Sequence, residues 1–212
     1  MPYNNEICKL VIENIALLEE ADSVIEEIQK TIFKEINNKF KDHFENNASW
    51  EGVYKYWEDD DEDETTITLK KWPKDDEGNY IAYFTFEITP DADKKCNYHL
   101  TALLGGRNSK GYAINFYVDE KNLCDMNNKA WKEYLRKQYL EKPVLQNNGV
   151  QIEGKCLSIP IRLDLKKVAA EYPDDFDQCL KPIDDAIKIL EDVSPVIDEI
   201  VQEALKQNNS GE

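Results

Sequence analysis

The chain has 212 residues, 41% of them hydrophobic, and sets 43 Asp and Glu against 26 Lys and Arg for a net charge of −17. That much apolar content is enough for a sizeable core and excludes an acidic disordered chain. The charge opposes nucleic acid and anionic membrane and attracts basic partners, and no window nears the roughly 18 apolar residues of a membrane span.

In chain order, the first element is helical. Ile7, Leu10, Val11, Leu17, Leu18, Val24, Ile25, Ile28, Ile32 and Ile36 recur mostly at three- and four-residue steps, and no Gly or Pro interrupts Tyr3 to Trp50. A helix of about 40 residues would be roughly 60 Å long. A break is expected near Ala21-Asp22-Ser23, where Ser23 and Glu26 have capping-box spacing.

The middle reads as strands. Thr65–Leu69 alternates and is β-branched, and Tyr80–Ile88 is apolar or aromatic at nearly every position. The turn residues of Pro73–Asn79 join them as a hairpin. Tyr98–Leu104 and Gly111–Val118 flank Gly105–Lys110 and are expected to form a second hairpin. A shorter helix spans about Asn127 to Leu140, and a short strand is expected at Gly149–Gly154. Cys156–Leu163 follows, where Pro160 suggests an edge strand or a bulge. Phe176, Leu180, Ile183, Ile187, Leu190, Ile197, Val201 and Leu205 mark a final helix, with Pro182 in its first turns and Pro195 as a kink or restart.

This order predicts an α+β fold. An antiparallel β-sheet of about five or six strands packs against long N- and C-terminal helices and one shorter helix. Residues 1–212 form a single domain, with 1–46 as a long helical segment and 208–212 as a disordered tail. The terminal helices are expected to pack antiparallel. The start Met1-Pro2-Tyr3-Asn4 lacks the basic and apolar blocks of a signal peptide, so a cytoplasmic location is expected. The scattered Cys8, Cys96, Cys124, Cys156 and Cys179 suit reduced thiols there.

Charge is unevenly placed. Residues 1–50, 51–100 and 151–212 carry −5, −8 and −7, and residues 101–150 carry +3. The densest acidic run is Glu58, Asp59, Asp60, Asp61, Glu62, Asp63 and Glu64, preceded by Tyr56 and Trp57. Seven adjacent carboxylates cannot be buried, so the run is a solvated loop. A loop without a role, a docking surface for a basic partner anchored by Tyr56 and Trp57, and a weak divalent-cation site are all compatible with it. Asp174, Asp175 and Asp177 form a second acidic group where the last helix begins; they fit helix capping or partner binding. The acids along that helix read as a solvated face, or as carboxylates that imitate duplex phosphates. The reversed region interleaves Lys129, Lys132, Arg136 and Lys137 with Trp131, Tyr134 and Tyr139. It fits an ordinary basic helix face, a phosphate-and-base contact, or a surface that orients self-association.

Catalytic motifs are thin. His43 and His99 have no zinc spacing, and no nucleophile elbow is present. Gly106 to Gly111 has part of a phosphate-loop spacing, but Tyr112 follows where Lys is needed. Glu153-Gly154-Lys155 and Asp164-Leu165-Lys166 have the acid-x-Lys form of metal-dependent nucleases.

The helical lead, the strand containing Phe84-Thr85-Phe86-Glu87, the strand Ile114–Asp119, Trp131, and the final segment Phe176…Leu180-Lys181-Pro182-Ile183 carry a family resemblance. Over most of the chain this order resembles the accessory C-terminal region of phage and bacterial PD-(D/E)XK nuclease-superfamily proteins. The resemblance implies a non-catalytic relative associated with phage–host conflict.

The leading expectation is a non-enzymatic acidic interaction protein without cofactor or metal. It would bind a basic protein, such as a host or defence protein that binds nucleic acid, and occupy its nucleic-acid surface. Its contact residues would be Tyr56 to Glu64 with Asp174, Asp175 and Asp177. Direct nucleic-acid or membrane binding is not expected. A metal-dependent nuclease built on Glu153, Lys155, Asp164 and Lys166, and an oligomerising helical protein such as a homodimer, are the alternatives.

Overall fold

A computed structural model describes residues 4–55, 65–89, 99–105 and 111–209. The N-terminal apolar stripe forms two helices, α1 (Asn5–Glu13) and α2 (Ile15–Phe44). They meet at Asn14, whose backbone leaves helical geometry at φ −121°. Its side-chain amide donates to the Leu10 carbonyl at 2.8 Å, so a polar side chain competes with the helical ladder there. The break expected at Ala21–Ser23 does not occur; those residues lie inside α2, where Ser costs a helix only a few tenths of a kcal/mol, on the order of other polar residues.

α2 buries nothing before Gln29. From there Gln29, Ile32, Phe33, Ile36, Asn37, Phe40 and Phe44 are buried, at the spacing of a core-facing stripe. They lie on one face of a six-stranded sheet in the order β1-β2-β3-β4-β6-β5. The strands are β1 (Trp50–Tyr54), β2 (Thr65–Leu69), β3 (Ala82–Ile88), β4 (Tyr112–Val118), β5 (Gln151–Glu153) and β6 (Cys156–Ile161), every pair antiparallel. The α+β fold with an antiparallel sheet is therefore as the sequence predicts.

Register divides the sheet into two unlike faces. Ile67, Phe84, Phe116 and Leu157 form one row on the apolar face. Thr66, Thr85, Asn115 and Ser158 form a row on the polar face. α2 and the last helix, α8 (Lys181–Asn209), pack with the apolar face in a single core. Aromatic rings dominate it: Phe86 lies 5.5 Å from Phe40 and 4.8 Å from Tyr112, and Trp72 lies 5.6 Å from Phe84, centroid to centroid. Each fully buried ring of this size contributes about 1.5–3 kcal/mol.

β1 has no counterpart among the expected strands. A Cβ at its Gly52 would stand 2.7 Å from the Thr66 carbonyl and 2.8 Å from the Tyr54 hydroxyl, so close pairing with β2 requires glycine. The expected strand at Tyr98–Leu104 is instead a one-turn helix, α3 (His99–Leu103), over the residues described. A short apolar run is ambiguous between helix and strand. Here tertiary contacts decide, because buried Gln29 of α2 accepts from the Leu100 N–H at 2.9 Å.

Pro160 does not mark an edge strand. β6 lies between β4 and β5, but β5 pairs only with Cys156–Ser158, so one side of β6 is free at Pro160. Pro182 falls in the first turn of α8 as expected, yet Pro195 neither restarts nor ends the helix. Its missing N–H would have served the Glu191 carbonyl; the Ser194 hydroxyl donates to that carbonyl at 3.0 Å instead.

α2 and α8 run parallel rather than antiparallel. The contacts Lys39–Asp184 and His43–Glu191 advance in the same sense along both helices. α2 ends where β1 begins, β6 runs in the same direction as β1, and α8 starts beyond the far end of β6 after the short α7 (Leu165–Glu171). Three more helices, α4 (Glu120–Cys124), α5 (Asn128–Glu141) and α6 (Pro143–Asn147), link β4 to β5. α5 is tied to α8 by Tyr134, which donates to the Ile200 carbonyl at 2.8 Å, and by Gln138, which donates to Glu203 at 2.8 Å.

Asn37 is the polar joint of this core. Its amide donates to the Tyr54 carbonyl at 2.7 Å and its oxygen accepts from the Thr65 hydroxyl at 2.9 Å, so it clamps the open end of the β1–β2 pair. Asn37→Ala leaves a buried carbonyl and hydroxyl without partners. It is expected to cost about 1–3 kcal/mol in urea unfolding, whereas an exposed control such as Lys34→Ala stays within about 0.5 kcal/mol.

Candidate interaction surface

The apolar residues of the N-terminal helices do not stop at the body. They continue outward through Val24, Leu18, Leu17, Ile15, Ile12, Val11, Leu10 and Ile7, all 41–73% exposed. No residue of α1 is buried. Residues 4–28 thus form an arm of roughly 37 Å at helical rise. The apolar side chains recur at i, i+3, i+4 and i+7, a face wider than the two-position seam of a simple coiled coil. Around it stand Glu6, Glu13, Glu19, Glu20, Asp22, Glu26 and Glu27, with Lys9 the only base.

Electrostatics separates this arm from the other acidic helix. On α8, Asp184 pairs with Lys39 at 3.0 Å, Glu191 with His43 at 2.9 Å, Asp198 with Lys71 at 2.6 Å and Glu199 with Lys142 at 2.9 Å. Asp185 and Glu203 are also in ion pairs, with Lys181 and Lys142. Exposed pairs of this kind add little stability, about 0–1 kcal/mol each, but each cation offsets part of the charge of the helix, while Asp192 is exposed and forms no ion pair with any described residue. Carboxylates that imitate phosphates need to be unneutralised, and most of these lie against a base. Glu6, Glu13, Glu19, Glu20, Glu26 and Glu27 form no ion pair with any described residue.

Asp198 shows what the paired carboxylates do. Burial pushes its carboxyl upward, but hydrogen bonds from Lys71 and the Trp72 indole at 2.9 Å, with the Lys71 charge, outweigh burial and leave it below the ordinary aspartate value. The pair seals one wall of a groove of about 790 Å³ between the α2–β1 turn, the end of β2 and Pro195.

The sequence-predicted site is only partly placed. Tyr56, Trp57, Glu58, Asp59, Asp60, Asp61, Glu62, Asp63 and Glu64 lie outside the described residues. Their stem is described: Tyr54 pairs with Thr65, and Asn37 holds both. Asp174, Asp175 and Asp177 are exposed in the turn before α8. Asp175 accepts from the Asp177 N–H at 3.0 Å, and Glu171 accepts from the N–H groups of Gln178 and Cys179, so this turn is organised locally. The sequence marks the arm only as part of a long N-terminal helical segment; its exposure in the fold reveals it as a surface.

The nuclease alternative finds no geometry. Glu153 and Lys155 precede β6 and Asp164 follows it, at opposite ends of a strand about 20 Å long. Lys155 pairs with Glu120 at 3.2 Å and donates to Asn128 at 3.0 Å; Asp164 caps α7 through the N–H groups of Lys166 and Lys167. Among the described residues no group of three His, Cys, Asp or Glu side chains is placed to hold a metal ion. On the polar sheet face, Ser158 donates to Asn115 at 2.5 Å and Asn115 donates to Glu87 at 3.1 Å. Cys156 lies beside this row, but burial pushes its thiol up to about 11, so it stays protonated at neutral pH and is no nucleophile. The aromatics of α5 face inward: Trp131 is buried, and the Tyr134 and Tyr139 hydroxyls donate to backbone carbonyls. They are not available to stack on bases.

Comparison with known proteins finds no matching family model, no matching curated protein and no matching solved structure.

Two outcomes follow from this geometry. Removal of residues 1–24 is expected to leave the thermal midpoint within about 2 °C, because none of the described residues of that segment is buried; a drop beyond about 5 °C in calorimetry would show hidden packing. The Asp198 contribution to stability is fully present above the unfolded aspartate value near 3.8 and is lost as pH falls through the lower folded value. Asp198→Asn is therefore expected to lower stability at pH 7 and to shrink the loss between pH 7 and pH 3, as read from urea midpoints at each pH.

Proposed function

We propose that this chain is a non-enzymatic acidic interaction protein whose arm, residues 4–28, seats in an apolar groove bordered by Lys and Arg on a partner protein. The observation that carries the reading is the bare stripe from Ile7 to Val24 flanked by unneutralised carboxylates. An amphipathic helix laid into a groove is a recurrent recognition mode, with anchors at i, i+3, i+4 and i+7. Burying half of each of eight side chains is worth about 10 kcal/mol before association costs, and the carboxylate border selects a basic rim. The same border repels anionic membranes and polyanions.

A basic rim of that kind also holds nucleic-acid phosphates, so occupancy by the arm displaces nucleic acid from such a partner. The run Glu58–Glu64 adds seven carboxylates to the long-range field, which raises the association rate and weakens with salt. The resemblance seen in sequence supports a setting in phage–host conflict, with a defence protein as the partner.

The test uses capture from a native host extract at low and high salt, followed by binding to the purified partner. Leu10→Asp, Leu17→Asp and Leu18→Asp together are expected to weaken binding about 100-fold, from roughly 1 kcal/mol lost per side chain. They should leave the unfolding midpoint unchanged. The partner should release its nucleic acid to the wild type and not to the triple variant. Equal affinity for wild type and triple variant would remove the arm from the function.

A further inference from the structure

Outside the arm, the exposed large apolar side chains among the described residues are Leu140, Val144 and Leu165. Leu140 and Val144 are neighbours where α5 passes into α6, at 63% and 43% exposure. Lys132, Arg136 and Leu140 stand at i, i+4 and i+8, so they share one face of α5. Both bases are exposed. The molecule thus carries an acidic apolar strip at one place and a basic face with apolar residues at another.

We infer that the arm of one copy docks on the α5–α6 face of a second copy, and that two copies do so reciprocally to make a closed dimer. The inference rests on the reading of the arm as a docking element and describes how that element is covered when its partner is absent. Three observations favour a second copy. Charge is complementary, because the arm holds seven acids and one base while Lys132 and Arg136 face outward from α5. The exposed apolar area of the arm is roughly 700 Å², above the ~300–600 Å² that monomers leave bare and close to the ~800 Å² per partner of a stable interface. The arm also cannot reach its own α5–α6 face, because α2 is one continuous helix from Ile15 into the core at Phe44, and only α1 can swing, at Asn14. Two-fold exchange satisfies both surfaces of both copies and closes the assembly.

Self-association then competes with partner binding. The dimer is a resting form that hides the stripe, and a partner with a better groove and denser basic rim releases it. Sedimentation velocity on the full chain at low salt tests this. The wild type is expected as a dimer, and Lys132→Glu with Arg136→Glu should weaken dimerisation at least tenfold. Glu19→Lys with Glu20→Lys in the arm should do the same. An equimolar mixture of the two double variants should dimerise again, because the unaltered arm then meets the unaltered face and the two reversed pairs meet each other. Wild type that stays monomeric at about 100 µM, a dimer indifferent to the α5 reversal, or a mixture that stays monomeric would each overturn the inference. The α5 variant keeps its arm intact, so it should still capture the basic partner. Capture without self-association would defeat this inference alone, and self-association without capture would defeat the proposed function alone.

Discussion

One helical stripe governs this molecule. Along α2 apolar residues recur at helical steps, and from Gln29 to Phe44 the buried ones, joined by Gln29 and Asn37, press against the aromatic face of the sheet. Further apolar residues of the same helix project beyond the body at Val24 and earlier positions. Burial of the inner half, through Phe33, Phe40 and Phe44, anchors α2 and sets the direction in which its outer half projects.

The distribution of charge follows from that arrangement. The helix against the body, α8, must live among the bases of its neighbours, and Lys39, His43, Lys71 and Lys142 take up its carboxylates. Asp198 goes furthest, since it holds both Lys71 and the Trp72 indole. Glu6, Glu13, Glu19, Glu20, Glu26 and Glu27 of the arm form no ion pair with any described residue. Part of the net −17 thereby stays unpaired among the described residues at the arm, while Asn37 holds the end of the β1–β2 pair. Several polar groups elsewhere are consumed by structure. Asn115 and Ser158 bond each other across β4 and β6, Cys156 remains a protonated thiol, and Lys155 answers Glu120.

Much of the fold was legible from residue order. Thr65–Leu69, Ala82–Ile88 and Tyr112–Val118 form strands because β-branched and aromatic residues alternate there, and the last helix follows its three- and four-residue steps through Pro195. The errors have local causes. Gly52 masks β1, since a glycine that signals a turn in sequence is a close-approach residue in the sheet. The run ending in Leu103 fits either secondary structure, and Gln29, some seventy positions away, selects the helix. Asn14 breaks the N-terminal helix through a side-chain bond that capping rules place elsewhere.

Composition and periodicity by themselves determined the class of the molecule: an acidic α+β domain with long terminal helices and no complete catalytic motif. They could not distinguish a stripe that is covered from one that is not, because hydrophobic spacing states what a helix wants to bury and not whether anything lies there. Only the tertiary structure assigned Ile32 to the core and Leu17 to the surface, and only it showed which carboxylates meet a cation. Both decisions depend on residues distant in the chain, and proximity of that kind is written in the packing of α2, α8 and the sheet.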